Sequence, residues 1–332
     1  MGKQDFYLKD SQVAEKFSKD VLSWNHEDIR RLSPEARRHI SSVIASSING
    51  FFHEEELKEN VLRLANTLRE EGVVRLDKIL EKECVSDILA YFKMLPCFNV
   101  IYHNHVEDDG VGRLASGDAD QFHFGSYPFG SVIQAPHLIK YFSSNDVLQI
   151  VESYLGAPAT LHSINVFWSF PQKENSPFGQ SFHRDKSHVR FCTLFVYLTD
   201  TDDENGVHEY IKFSHCPDKF KKQGVTSLQT GSGDVDLFNL PNDGYGNDGL
   251  YLKQFSQYII SLKGQAGQAF IEDNYGIHRG KIPVNKPRLI AWARYSMHAI
   301  APEHEKVSVN DLHTLPADTE RVRYALRAMV DF

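Results

Sequence analysis

Cysteine is scarce in this sequence, and the few cysteines form no pattern. The chain has 332 residues but only four cysteines, and none of them belongs to a CxxC pair. This excludes a dense disulfide framework and a cysteine-based zinc site, and it is typical of reduced, mostly buried thiols. We therefore predict a cytoplasmic protein. The cysteines are Cys84, Cys97, Cys192 and Cys216.

Long apolar runs and basic clusters are also absent. No apolar run approaches the ~20 residues of a membrane-spanning helix, and the first ten residues lack the apolar core of a signal peptide. The net charge is −8 and no long basic run occurs, so neither a nucleic acid nor an anionic membrane is a predicted partner. The rest of the composition, 41% hydrophobic and 24% charged, is ordinary for a globular protein.

Helical patterns come first along the chain. A Ser-Pro-Glu sequence at 33–35 is a typical helix start, and apolar residues recur at helical spacing over 53–71. A short strand over 73–76 and an amphipathic helix over 82–92 follow. We expect residues 1–69 to form an N-terminal helical extension that serves as a dimerisation or capping element, with the oligomeric state open.

Two later segments are predicted to be irregular. Residues 98–135 are rich in glycine, aspartate and histidine, and a loop of that length is uncommon unless it is functional or lies over a site. Residues 231–249 are rich in glycine, asparagine and aspartate. We expect the second segment to bury little, to be a mobile loop between strands, and to be the candidate lid.

The character of the chain changes to β from residue 160 onward. Short β-rich segments separated by turn residues favour an antiparallel barrel or sandwich. The predicted fold class is mainly β with flanking helices (α+β), and residues 301–332 form a C-terminal helical tail. The predicted strands are 161–170, 189–198, 207–213, 268–272 and 289–297.

One candidate metal site stands out. His183 and Asp185 have the i, i+2 spacing that places two side chains on one face of a strand. His278 follows 93 residues after Asp185 and must come from another strand. Two histidines and one carboxylate are the ligand set of non-haem Fe(II) oxygenases. The alternative for the His-x-Asp motif alone is a surface His–Asp hydrogen bond at a strand end.

Arg288 strengthens this candidate. It lies ten residues after His278 and opens an apolar strand. An arginine that points into a β core is costly unless it meets an anion, and its guanidinium matches a carboxylate bidentately. We expect a dicarboxylate co-substrate whose other end binds the metal. The alternative is an interior ion pair with a protein carboxylate such as Glu272.

The chain resembles the phytanoyl-CoA dioxygenase-like branch of the Fe(II)/2-oxoglutarate-dependent oxygenases. The order and spacing of the matching segments are specific, although no single motif is, and they cover roughly residues 70–300. One segment departs from the pattern, because Lys212 and Phe213 replace Pro-Gly before Ser214-His215. The matching segments are Glu70 to Leu76, His183-Arg184-Asp185, Tyr197 to Asp200, Glu204-Asn205-Gly206, Phe213-Ser214-His215, His278-Arg279-Gly280 and Arg288.

The resemblance implies a double-stranded β-helix (jelly-roll, cupin-like) core over 70–300. It implies Fe(II) on His183, Asp185 and His278, and 2-oxoglutarate bound to the iron and to Arg288. Two further residues are implied as co-substrate contacts, each with a structural alternative. They are Thr193, which is otherwise a β-branched core residue, and Asn165, which is otherwise a structural amide.

The function implied is an Fe(II)- and 2-oxoglutarate-dependent dioxygenase. It uses O2, hydroxylates a small molecule or biosynthetic intermediate, and releases succinate and CO2. Asp185 favours hydroxylation, because related halogenases replace that carboxylate with a small residue. Two alternatives remain at this point: a catalytically silent barrel that binds a metabolite or partner, and an iron dioxygenase that does not use 2-oxoglutarate.

The substrate itself is only hinted at. Lys186, His188, Arg190 and Arg294 carry positive or titratable groups near the His-x-Asp motif or on the Arg288 strand. Together they favour an anionic substrate, and the alternative is that they are solvated charges or ion pairs.

A second metal site is a weaker candidate. It would use His123 with His103 and His105, and the alternative is that these are ordinary surface or core histidines.

Overall fold

The computed structural model describes most of the chain. The described residues are 29–48, 57–76, 80–99, 111–112, 123–171, 180–238, 240, 244–297 and 304–332. Several predictions fall outside them: the helical pattern before residue 29, residues 53–56, most of the 98–135 segment, and the histidines at 103 and 105. No helix in the described part combines the length and the apolar character needed to cross a membrane.

The predicted N-terminal helices are present where the chain is described. Helix α1 spans Pro34–Ile48, and the Ser33 hydroxyl accepts a hydrogen bond from the backbone N–H of Ala36 at 3.2 Å, as an N-cap residue should. Helix α2 spans Glu59–Glu71 and ends at Gly72, whose φ of 85° is left-handed. Helix α3 spans Lys82–Lys93 and presents one apolar face to the core.

The other helices are shorter and lie between strands or at the C-terminal end. Two of them, α5 and α6, precede the main β region. The α-helices are α4 Phe129–Ile133, α5 Leu138–Phe142, α6 Asn145–Leu155, α7 Pro217–Lys222, α8 Asp248–Phe255 and α9 Glu320–Leu326, with 3-10 turns at Ser256–Tyr258 and Val309–Asp311.

The described strands form one large and three small sheets, and the predicted strands are confirmed to within a few residues. The large sheet is antiparallel throughout, in the order β1-β11-β6-β13-β5-β4-β2-β3, and a second sheet has the order β10-β7-β12. The strands are β1 Val73–Arg75, β2 Cys97–Asn99, β3 Val111–Gly112, β4 Phe124–Ser126, β5 Thr160–Ser169, β6 Phe191–Tyr197, β7 His208–Ile211, β8 Leu228–Thr230, β9 Gly233–Val235, β10 Ile259–Ser261, β11 Ala269–Glu272, β12 His278–Gly280, β13 Arg288–Ser296, β14 Val307–Ser308 and β15 Val330–Asp331.

The chain alternates between these two sheets. It leaves β5 in the large sheet, pairs at His183 with β12 of the second sheet, and returns to the large sheet as β6. It then forms β7 and β10 in the second sheet, β11 in the large one, β12 in the second, and β13 in the large one. The fold is therefore a mixed helix and strand structure built around a large antiparallel sheet.

The two faces of the large sheet have different partners. In β6, Leu194 and Val196 join the main apolar core with the helices, whereas Phe195 and Tyr197 join a cluster that includes Tyr210 of the second sheet. This is the period-two alternation of a strand buried on both faces. Side chains at odd positions of β6 therefore point into the space between the sheets.

The prediction for residues 231–249 was wrong in one respect. Leu237, Phe238 and Leu240 are buried at 1%, 9% and 7% exposure, in an apolar cluster with helix α8. The segment also begins with strand β9, paired to β8. The segment is rich in glycine and asparagine, and its three buried apolar residues show no regular period, so their burial has no signal in the sequence.

Candidate metal centre

His183, Asp185 and His278 converge, as the sequence predicted. Their ligand atoms all lie within 4.8 Å of one another, and Nε2 of His183 is 3.6 Å from Oδ1 of Asp185. The backbones of His183 and His278 exchange two hydrogen bonds of 2.9 Å, which place the two histidines opposite each other on adjacent segments. The backbone N–H of Asp185 donates to the carbonyl of Asn274 at 2.9 Å.

The tautomers of both histidines follow from their partners. Nδ1 of His183 lies 2.9 Å from the carbonyl oxygen of Ser181, and Nδ1 of His278 lies 2.9 Å from that of Gly276. A carbonyl oxygen only accepts, so each Nδ1 carries the proton and each Nε2 keeps a free lone pair. Burial lowers the pKa of His278 to about 4, which keeps this ring neutral. A neutral imidazole with its Nδ1 held in this way is what a metal site requires.

Asp185 is held in its ionised form. Burial acts to raise its pKa, but the charged and polar groups around it, above all the guanidinium of Arg294, outweigh burial, so the pKa of Asp185 lies below its usual value. Nη2 of Arg294 donates to Oδ2 of Asp185 at 2.8 Å. The arrangement therefore offers two imidazole nitrogens and one carboxylate oxygen, which suits a divalent transition metal such as Fe(II).

Arg288 points into the space between the sheets, as predicted. It is 2% exposed, and its guanidinium donates to the carbonyl of Gly206 and, at 3.0 Å, to the hydroxyl of Ser169. Its Nε is buried without a hydrogen-bond partner, and among the described residues no carboxylate lies within ion-pair distance of it. Glu272, the alternative partner considered for it, instead pairs with His208.

A glycine makes room for this guanidinium. A Cβ added to Gly280 would lie 2.8 Å from Nη2 of Arg288. Gly280 follows His278 by two residues on β12, so both residues face the same way, about 7 Å apart along the strand. Gly280 thus places the guanidinium of Arg288 on the His278 side of β12, and a buried cation without a carboxylate partner among the described residues suits an anion.

A buried His208–Glu272 pair lies beside the metal ligands, and sequence reasoning did not identify it. Nε2 of His208 is 2.8 Å from Oε2 of Glu272, and Oε1 of Glu272 is 3.9 Å from Nε2 of His278. Burial raises the pKa of Glu272 to about 7 and, with Arg288 and His183, pushes that of His208 well below its usual value. Both shifts favour the uncharged forms.

Thr193 and Asn165, the two weaker candidates, also face the space between the sheets. Thr193 is fully buried on β6 and is paired across the sheet with Glu272 on one side and Arg294 on the other. Asn165 is half-buried on β5, and its side-chain oxygen accepts a hydrogen bond from Ser126 at 2.9 Å. The positions of these two side chains do not show whether they contact a co-substrate, so both roles stay predictions.

The candidate lid contacts the metal ligands through one aromatic ring. Tyr245 stacks on His183 with ring centroids 4.7 Å apart and planes 6° from parallel. Close by, Asp248 pairs with Arg279 at 2.6 Å and accepts the backbone N–H of Phe182 at 2.9 Å. The segment around Tyr245 is therefore attached to the residues on either side of the two histidines.

The charged residues proposed as an anionic-substrate site have different contacts in the structure. Arg294 is engaged with Asp185, whereas the guanidinium of Arg190 lies over the ring of Tyr154, 4.9 Å from its centroid. The backbone carbonyls of Lys186 and His188 accept hydrogen bonds from Arg37. Of these charged residues, Arg294 contacts a metal ligand directly.

The cysteines Cys84, Cys97, Cys192 and Cys216 are all free thiols.

Comparison with known proteins gives distant structural similarities only. No family model and no curated protein matches the sequence. One similar solved structure is the "non-heme alpha ketoglutarate dependent epimerase SnoN from nogalamycin biosynthesis", with 16% identity, a TM-score of 0.46, and coverage of 71% of this chain and 82% of that one. Another is "EctD from S. alaskensis with 2-oxoglutarate and 5-hydroxyectoine", with 16% identity, a TM-score of 0.46, and coverage of 84% and 91%.

Proposed function

We propose that this protein is an Fe(II)- and 2-oxoglutarate-dependent dioxygenase that oxidises a small molecule, with a double-stranded β-helix core. The alternation of consecutive strands between two sheets supports that fold. The observation that carries the function is the buried Arg288, which faces the same interior as His183, Asp185 and His278 and lacks a protein carboxylate among the described residues.

The protein's own residues have separable roles in this proposal. His183, Asp185 and His278 hold the metal, with both Nδ1 atoms fixed by carbonyls. Arg288 binds the distal carboxylate of 2-oxoglutarate and orients it along β12, with Gly280 leaving room for the guanidinium. Bound Fe(II) supplies the oxidation of the substrate by O2, coupled to decarboxylation of 2-oxoglutarate to succinate.

Thr193 and Asn165 complete the proposed co-substrate contacts. Thr193 lies on β6, with Glu272 of β11 opposite it on one side and Arg294 of β13 on the other. Asn165 lies on β5 opposite Trp292 of β13, and its side chain is on the same inward-facing side of the sheet. Tyr245 covers one face of His183 and is proposed to exclude water from the metal. A carboxylate at position 185 supports hydroxylation over halogenation, and the substrate is proposed to be a small molecule or biosynthetic intermediate.

Succinate release tests the proposal. Purified protein is incubated with 2-oxoglutarate in air, with and without Fe(II), and succinate is quantified. We expect release that requires Fe(II), and His278→Ala to abolish it. Arg288→Met should retain metal binding but lose affinity for 2-oxoglutarate. Arg323→Met is the matched control, because Arg323 is exposed and pairs with Asp318 far along the chain from the site.

Three outcomes separate the candidate functions. Metal binding with succinate release that depends on Arg288 supports the proposal. Metal binding without succinate release from 2-oxoglutarate indicates an iron dioxygenase that does not use 2-oxoglutarate, and succinate release with no effect of Arg288→Met on 2-oxoglutarate affinity overturns the role of Arg288. Absence of both metal binding and succinate release indicates a catalytically silent binding protein.

A further inference from the structure

Arg37, in the first turn of helix α1, reaches the segment that follows the metal ligand Asp185. It is 3% exposed, although arginine is seldom fully buried unless it is paired. Its guanidinium donates to four backbone carbonyls on two separate parts of the chain. The acceptors are Ile29 at 2.5 Å, Leu32 at 3.3 Å, Lys186 at 3.2 Å and His188 at 2.5 Å.

These acceptors make Arg37 a bridge between the N-terminal helices and the metal centre. Lys186 and His188 follow Asp185 by one and three residues, and neither lies in a helix or strand. A segment without a hydrogen-bonded ladder of its own takes its position from such side-chain contacts. The planar guanidinium donates in several directions at once, which a lysine ammonium at the same place could not reproduce.

The same guanidinium also touches the segment that carries the other histidine. Arg37 lies over the ring of Tyr275, 4.7 Å from its centroid, and Tyr275 precedes His278 by three residues. Arg184, the residue between His183 and Asp185, lies 4.6 Å from the same centroid and donates to the Tyr275 carbonyl. Tyr275 therefore connects Arg37 with both ligand-bearing segments.

We propose that Arg37 is a positioning residue for the metal centre, and that helix α1 is for this reason a functional part of the enzyme rather than a peripheral addition. The inference rests on the proposed metal site. Arg37 acts through Lys186, His188 and Tyr275, and it is assigned no contact with metal or substrate. Partners that hydrogen-bond the ligands themselves are worth on the order of 10- to 100-fold in metal affinity, and Arg37 acts one step further out.

Metal titration of the full-length protein tests this role. The dissociation constant for Co(II) is measured by visible absorption for the wild type, Arg37→Met and Arg38→Met. We expect binding to be weaker by about threefold to tenfold for Arg37→Met, at or below the lower end of the range for a direct partner of a ligand. Arg38→Met should bind Co(II) like the wild type, because the Arg38 side chain is 47% exposed and pairs with Asp218. In Co(II)-saturated protein, 2-oxoglutarate affinity should be unchanged in both variants.

The outcomes distinguish this inference from the proposed function. If Arg37→Met has a lower unfolding temperature but binds Co(II) like the wild type while folded, Arg37 is merely structural and the inference is overturned. If the wild type itself binds no Co(II), the proposed function falls, and this inference with it. If Arg37→Met does not fold, Tyr275→Leu replaces it. Tyr275→Leu should weaken Co(II) binding, whereas Tyr275→Phe, which keeps the ring, should not, and equal affinities in these two variants overturn the inference.

Discussion

Arg294 holds one oxygen of Asp185 and leaves the other facing the metal ligands. Nη2 of Arg294 is 2.8 Å from Oδ2 of Asp185, whereas Oδ1 is 3.6 Å from Nε2 of His183. Arg294 follows Arg288 by six residues on β13, so both arginines face the interior. One strand therefore supplies both the proposed carboxylate anchor and the support of a metal ligand.

Replacement of Arg294 should weaken metal binding. In Arg294→Met the Asp185 carboxylate loses its charge-assisted hydrogen bond and is free to rotate. We expect Co(II) affinity to fall on the order of tenfold, as for other residues that orient a ligand. Titration of Co(II) with absorption detection measures this. Arg323→Met, which breaks an exposed pair with Asp318, serves as the control and should leave the affinity unchanged. Wild-type affinity in Arg294→Met would show that Asp185 needs no such support.

Gly280→Ala should weaken the binding of 2-oxoglutarate while leaving the metal in place. The added methyl would lie 2.8 Å from Nη2 of Arg288, inside contact distance, so the guanidinium must move. We expect a loss of 2-oxoglutarate affinity of about tenfold or more, since a displaced charge-assisted hydrogen bond is worth about 1.5–3 kcal/mol. Isothermal titration of the Co(II)-loaded protein with 2-oxoglutarate measures it.

A second glycine provides the control for this substitution. Gly130 lies in helix α4, and a Cβ added there meets nothing within 4 Å. Gly130→Ala should bind both Co(II) and 2-oxoglutarate like the wild type. If Gly280→Ala also binds 2-oxoglutarate normally, the assigned position of Arg288 relative to the co-substrate is wrong.

The local features of this fold were predictable because they depend on neighbouring residues. The start of helix α1 follows from the Ser33 cap, and the end of α2 follows from a left-handed Gly72. The strands of the second half follow from short β-rich segments bounded by turn residues. The convergence of His183, Asp185 and His278 was predictable because their combination suits one metal.

Contacts between distant residues were not predictable from the sequence. The Arg294–Asp185 pair joins positions 109 residues apart, and the His208–Glu272 pair joins positions 64 residues apart. Neither pair has a spacing that signals it. Arg37 sits in a polar helix whose pattern gives no reason to bury an arginine, because its acceptors are backbone carbonyls that any sequence would provide.

A side chain at position 72 should destabilise the fold. Gly72 has a φ of 85°, and an added Cβ would lie 2.3 Å from the Tyr210 hydroxyl. Gly72→Ala combines left-handed strain of about 1–2 kcal/mol with overpacking of about 1–3 kcal/mol. Gly156→Ala has similar strain, with a φ of 75°, but meets nothing within 4 Å. Urea unfolding should therefore show a larger loss of stability for Gly72→Ala, and equal losses would contradict the close packing.

The two acidic residues at the starts of helices α8 and α7 should differ in their contribution to stability. Asp248 accepts the backbone N–H of Phe182 at 2.9 Å and pairs with Arg279 at 2.6 Å, and its side chain is 28% exposed. Asp218 pairs with Arg38 at 2.5 Å, but its side chain is 64% exposed. Water screens the second pair much more than the first.

Asp248→Asn should therefore lower the free energy of unfolding by about 1.5–3 kcal/mol, the range for hydrogen bonds to a charged group. Asp218→Asn should lower it by less than about 1 kcal/mol. Arg279 keeps Glu209 as a partner at 2.7 Å, so no buried cation is left unpaired, and the loss in Asp248→Asn reports the contacts of Asp248 alone. Urea unfolding of both variants measures the difference.

Asp248 also accepts a hydrogen bond from the backbone of Phe182, the residue before His183. Asp248→Asn should therefore bind Co(II) more weakly than the wild type, whereas Asp218→Asn should bind it equally well. Equal Co(II) affinities in the two variants would show that helix α8 does not support the metal centre.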